Sequence, residues 1–128
     1  MLSRRDKEAK TQAALKKYFD FKYPKYRNQF IKLDNEGNRT DYGHIKAVNC
    51  GLVSGASDVY IAVPTDKYAG LWMEVKPEGW RMTESNRLHT ERQLEFIERQ
   101  IMFGYFGKMI VGVDEGIALI DGYFNGDL

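Results

Sequence analysis

Gly55-Ala56-Ser57-Asp58-Val59-Tyr60-Ile61-Ala62-Val63 and Leu71-Trp72-Met73-Glu74-Val75-Lys76 are two strand-like, largely apolar runs separated by a short polar link. The link from Pro64 to Gly70 joins them as a hairpin with a loop longer than the tightest turns. Pro77 ends the second run directly after Lys76. Strand side chains alternate faces, so Trp72, Glu74 and Lys76 project together while Leu71, Met73 and Val75 face the other way. Each run also carries a carboxylate near one end. An acid and a lysine on one face, near a second acid from the adjoining strand, can hold a divalent cation beside a cationic group. Phosphodiester cleavage needs that combination.

Outward from this hairpin, residues 4 to 19 read as a helix that stops before Tyr23-Pro24. Glu8, Gln12, Leu15 and Phe19 form one stripe at helical spacing. Its apolar end suits the core, and its polar end would approach a cavity or be solvated. Phe30 to Asp34 reads as a short strand closed by Asn35-Glu36-Gly37-Asn38, which is turn chemistry. Tyr42 to Cys50 is weakly helical and stops at Gly51. Residues 78 to 89 lack a period and read as a loop. Thr90 to Phe103 reads as a helix with Leu94, Ile97 and Ile101 as its apolar stripe, ended by Gly104. Lys108 to Val113 reads as a buried strand. Asp114 to Tyr123 reads as a closing helix with Asp114 as N-cap and Ile117, Leu119 and Ile120 available for packing. The order predicts an α/β domain spanning 1–128, with a central mixed sheet flanked by helices.

Composition narrows the chemistry. At 128 residues the chain can bury one real core. A single cysteine, Cys50, excludes an internal disulfide and a thiolate metal site, and two histidines, His44 and His89, argue against a His-rich zinc centre. Carboxylate ligands suit hard cations such as Mg2+ or Mn2+. No apolar run approaches a membrane span and the amino terminus is not signal-like, so a cytoplasmic setting is expected. The net charge of +1 hides an asymmetry. Residues 1–32 hold ten Lys or Arg against three Asp or Glu, whereas residues 91–128 hold three against seven. A basic amino-terminal segment suits a grip on a polyanion, and it equally suits a solvated helix face.

Each candidate residue has a plainer reading. Asp58 could simply start its strand. Glu74, set between Met73 and Val75, must have a partner, because a buried carboxylate stripped of its partner costs roughly 3–5 kcal/mol. Lys76 could be no more than that partner. Thr90-Glu91-Arg92-Gln93 fits a capping box, which would give Gln93 a structural role, although Gln93 also lies beside the apolar stripe. Cys50 reads as a packing residue, and His44 and His89 as surface or loop polar groups. Trp72 could pack over the site and Trp80 could contact a nucleobase, with core or edge packing the default for both.

In this order the segments resemble the VRR-NUC (virus-type replication-repair nuclease) domain of the PD-(D/E)xK nuclease superfamily. The resemblance rests on the Glu8 helix, Asn35-Glu36-Gly37, Gly51 to Asp58, Gly70 to Lys76, Glu91-Arg92-Gln93, Gly104-Tyr105 and Gly112-Val113-Asp114-Glu115. Ser57 stands where the family usually has Pro. The resemblance implies a restriction-endonuclease-like core. It implies that Asp58, Glu74 and the backbone carbonyl of Val75 ligate Mg2+ or Mn2+, with Glu8 reaching the same site directly or through water. Lys76 would orient or help deprotonate the attacking water, and Gln93 would position the site or the scissile phosphate.

These readings converge on a metal-dependent endodeoxyribonuclease of a single domain. The resemblance further implies action on branched or four-way DNA, as in Holliday-junction resolvases, as a homodimer and in a bacteriophage setting of replication, recombination or repair. The apolar segment around Tyr123-Phe124 is a candidate dimer surface. The alternatives are a less selective flap or nicking nuclease, a non-catalytic nucleic-acid-binding module that keeps the fold, and a structural protein whose Glu74–Lys76 pair is an internal ion pair.

Overall fold

The computed structural model describes residues 2–34 and 40–128. The turn expected at Asn35-Glu36-Gly37-Asn38 lies outside them. Four strands form one sheet in the order β1-β2-β3-β4: β1 (Phe30–Lys32), β2 (Val59–Ile61), β3 (Leu71–Lys76) and β4 (Phe106–Val111). β1 and β2 pair antiparallel, as do β2 and β3, while β3 and β4 run parallel. The hairpin read from the sequence is therefore the middle of a mixed sheet. β3 has a hydrogen-bonded neighbour on both sides, and helices cover both its faces, so five of its six residues are buried.

The alternation of β3 sorts the helices. Leu71, Met73 and Val75 join Val59, Ile61 and Ile110 in a core closed by Leu15 and Phe19 of α1 (Arg4–Lys22) and by Leu119, Ile120 and Tyr123 of the last helix. Trp72, on the other face, meets Phe96 edge-on with ring centroids 5.0 Å apart. Phe96 belongs to α3 (Arg87–Met102), which presses Ile97 against the bare backbone of Gly107 on β4. α1 runs three residues past its expected end, and Ser3 caps it by accepting the Asp6 N–H at 3.1 Å. α2 (Asp41–Asn49) is stopped by Gly51 at φ +106°, as its sequence predicts; Thr40 caps its start, and it buries none of its residues.

Several expectations are corrected. α3 begins at Arg87, so Thr90 lies inside it and donates its hydroxyl to the Asn86 carbonyl at 2.8 Å. The capping box does not form. The buried face of α3 is Thr90, Gln93, Phe96 and Ile97, whereas Leu94 and Ile101 are exposed. Buried polar residues displaced the apolar stripe that periodicity selected. α4 (Gly112–Asn125) begins at Gly112, and its end is satisfied by Glu115, whose Oε1 accepts the Val111 N–H at 3.0 Å. Asp114 adds only favourable charge to the first turn. Cys50 is exposed rather than packed. Tyr123 is buried with its hydroxyl donated to the Val63 carbonyl, and Phe124 stacks on Tyr26. Within the segment read as a candidate dimer surface, Tyr123 is thus core and Phe124 is half-buried against it.

Candidate active site

β2 and β3 pair with Val59 opposite Met73 and Tyr60 opposite Trp72. The same register carried one residue before β2 puts Asp58 opposite Glu74, on the Trp72 face of the sheet. Asp58 makes its own link to β3, its Oδ2 accepting the Val75 N–H at 3.0 Å. Side chain thus replaces backbone at the point where the ladder ends.

Glu74 is 1% exposed and its Oε1 has no hydrogen-bond partner within the protein. Its pKa is driven far above the ordinary carboxylate range, to about 11. Burial is the main cause, followed by the hydrogen bond and charge of Asp58, with Glu8 adding repulsion and Lys76 opposing all three. A buried carboxyl next to a second acid is a site where a cation can take the place of a proton.

Lys76 is also buried, yet no ion pair among the described residues joins it to Glu74. Its Nζ lies 5.1 Å from the centroid of the Trp80 ring, a cation–π contact. The internal ion pair expected of a purely structural reading is therefore not formed. Trp80 is half-buried against the lysine. Trp72 packs among Tyr60, Phe96 and Tyr105, which makes it a wall of the fold rather than a lid.

Two clefts meet at Asp58. The first, of about 470 Å3, lies between α1 and β1 and is lined by Glu8, Gln12 and Asp58 together with Arg5, Lys16 and Lys32. Glu8 and Gln12 do line a cavity, as the α1 stripe allowed, although Ala9, Ala13, Phe30 and Leu33 make much of its wall apolar. The three cations were not singled out in the sequence. Arg5, Glu8, Gln12 and Lys16 are spaced by three and four residues, the helical signal that would have placed them on one stripe. The second cleft holds His44, His89, Arg92 and Gln93 beside Asp58. Both histidines are exposed residues of helices. Gln93 is buried, with its Nε2 3.2 Å from the His89 Nε2 and its Oε1 without a partner.

The donors suit a hard divalent cation: two adjacent carboxyls, one with a buried oxygen that nothing satisfies. Among the described residues, no group of three or more His, Cys, Asp and Glu is gathered tightly enough to hold a cation. Asp58 and Glu74 are the close pair, and Glu8 acts on them from across the cleft.

No family model matches the sequence, and no curated protein matches it. Among solved structures, one described as "VRR_NUC domain protein" matches with a TM-score of 0.72 at 21% sequence identity, over 92% of this chain and 88% of that one. No helix among the described residues is long and apolar enough to cross a membrane. The order of elements, the mixed sheet and this likeness together show that the chain shares the α/β fold of that solved VRR_NUC domain structure.

Proposed function

We propose that the chain is a metal-dependent endodeoxyribonuclease. One observation carries the reading: the buried Oε1 of Glu74 lacks a partner beside Asp58, at the edge of a cleft carrying Arg5, Lys16 and Lys32. A fold does not keep an unsatisfied carboxyl oxygen next to a second acid for stability. Asp58, Glu74 and the Val75 carbonyl would hold Mg2+ or Mn2+, with Glu8 assisting through water. When bound, such an ion lowers the pKa of a coordinated water and stabilises charge on the phosphoryl oxygens.

The protein groups supply the remainder. Arg5, Lys16 and Lys32 hold the backbone phosphates without reading sequence. Lys76, seated against Trp80 and not paired with Glu74, would orient the attacking water and help deprotonate it by stabilising the hydroxide that forms, the proton passing to solvent. Water adds to phosphorus, the P–O bond to the leaving sugar oxygen breaks, and that oxygen gains a proton. Gln93 positions the reacting groups from the second cleft.

The preference for branched or four-way DNA, the homodimer and the phage-type recombination or repair setting rest on the likeness of the sequence segments. Two sites in a dimer would serve the two strands of a junction. The test uses labelled duplex, flap and four-way DNA with and without Mg2+ or Mn2+. Metal-dependent cutting of the four-way substrate, lost in Asp58→Ala with binding retained, is the expected result. Equal cutting of all three substrates would replace it with a general nuclease. Binding with no cutting under any metal would leave a nucleic-acid-binding module.

A further inference from the structure

We infer that His89 is a positioning residue that fixes the side-chain amide of Gln93, so that the buried end of Gln93 is an acceptor directed at the attacking water rather than a donor to the phosphate. The functional part of this inference rests on the nuclease reading above. Its geometry does not.

His89 and Gln93 lie four residues apart on α3 and share one helical stripe. Their contact is nitrogen to nitrogen, 3.2 Å between the two Nε2 atoms. An amide nitrogen only donates, so the imidazole must accept at Nε2 and carry its proton on Nδ1. That pairing turns Gln93 Oε1 inward, where it is buried and has no partner in the protein. If His89 carried its proton on Nε2, the amide would have to rotate by half a turn. The buried end would then be an NH2 group, which suits a phosphoryl oxygen, whereas the inward oxygen suits a hydrogen of water. The histidine tautomer therefore selects what Gln93 offers to the cleft it shares with Asp58. Gln93 is held firmly enough for this to matter. A Cβ on Gly55 would lie 3.0 Å from its backbone nitrogen, so the loop before Asp58 packs hard against it.

Two measurements on the full chain decide the inference. Long-range 1H–15N spectra report the imidazole tautomer and the Gln93 side-chain NH2 signals. The expected result is a neutral His89 protonated at Nδ1, with the Gln93 NH2 resonances moved by His89→Ala. A His89 protonated at Nε2, or Gln93 signals indifferent to His89→Ala, would overturn it. In cleavage assays, His89→Ala should lower kcat about tenfold with KM within about twofold, and should add nothing in a Gln93→Ala background. Losses that multiply in the double variant would show that His89 acts on its own and would refute the inference. His89 is exposed, so its removal leaves the core intact; Gln93→Met replaces Gln93→Ala if the smaller side chain fails to fold. Should the wild-type chain cut no DNA under any metal, the nuclease reading fails while the spectra still decide the tautomer.

Discussion

At the scale of single residues, the unsatisfied carboxyl of Glu74 makes a sharp forecast. Burial beside Asp58 favours the neutral form of this carboxyl, so Glu74→Gln is close to isosteric and should leave the melting temperature of metal-free protein within about 2 °C. In the wild type, Mn2+ at about a hundredfold above its Kd should add about 2.7 kcal/mol of stability. Glu74→Gln should lose that gain, and calorimetry with and without Mn2+ reads both. Asp58→Asn keeps an oxygen for the Val75 N–H but removes the charge. It should fold normally and lose at least about 10^3 in turnover, measured on labelled DNA. Ser57 presents the reverse case. Its hydroxyl is fully buried and unpaired, and Ser57→Ala should stabilise by about 1 kcal/mol in denaturant melts. Glu74 could be read from sequence because a carboxylate between Met73 and Val75 conflicts with its surroundings. Lys16 and Lys32 could not, because a cation in a basic segment conflicts with nothing and its role depends on which acid the fold brings opposite.

Elements were legible where period and punctuation agreed. α1, the β2–β3 hairpin and the Gly51 and Gly104 stops follow from the chain. α3 misled because its inner face carries Thr90 and Gln93, and the apolar Leu94 and Ile101 point outward. Buried polar residues defeat a rule built on apolar burial. Contacts between elements yield two forecasts. A Cβ at Gly116 would sit 2.5 Å from Leu15 Cδ2 across the α1–α4 contact, so Gly116→Ala should cost about 1–3 kcal/mol in urea melts. Asp121 on α4 accepts the hydroxyls of Tyr18 on α1 at 2.6 Å and of Tyr23, just past its end, at 2.5 Å. Burial alone would raise its pKa, but these two bonds and Lys22 outweigh burial and leave it lowered. A lowered folded-state pKa contributes stability above the unfolded value of 3.8, and that contribution is lost as pH falls through the folded value. Asp121→Asn should therefore destabilise by about 1–2 kcal/mol at neutral pH. The gap to wild type should close in acid melts once the pH is below the folded pKa.

For the whole molecule, the charge asymmetry seen in sequence becomes spatial. Arg5, Lys16 and Lys32 come from α1 and β1, both within the basic first 32 residues, and share their cleft with Glu8, Asp34 and Asp58. Removing any one of the three should weaken DNA binding uniformly across sequences and reduce the salt slope by about one. Titrations at several salt concentrations test this. Loss of affinity without a change of slope would place the cleft outside the substrate path.

Gly55 sets how this machinery can move. At φ +80°, with space for a Cβ blocked by the Arg92 carbonyl at 2.6 Å, it locks the segment leading to Asp58 onto the middle of α3. The loop that carries the acid and the helix that carries the amide are therefore packed backbone to backbone. Widening by Gly55→Ala would misalign both partners together, a coordinated failure rather than a graded one.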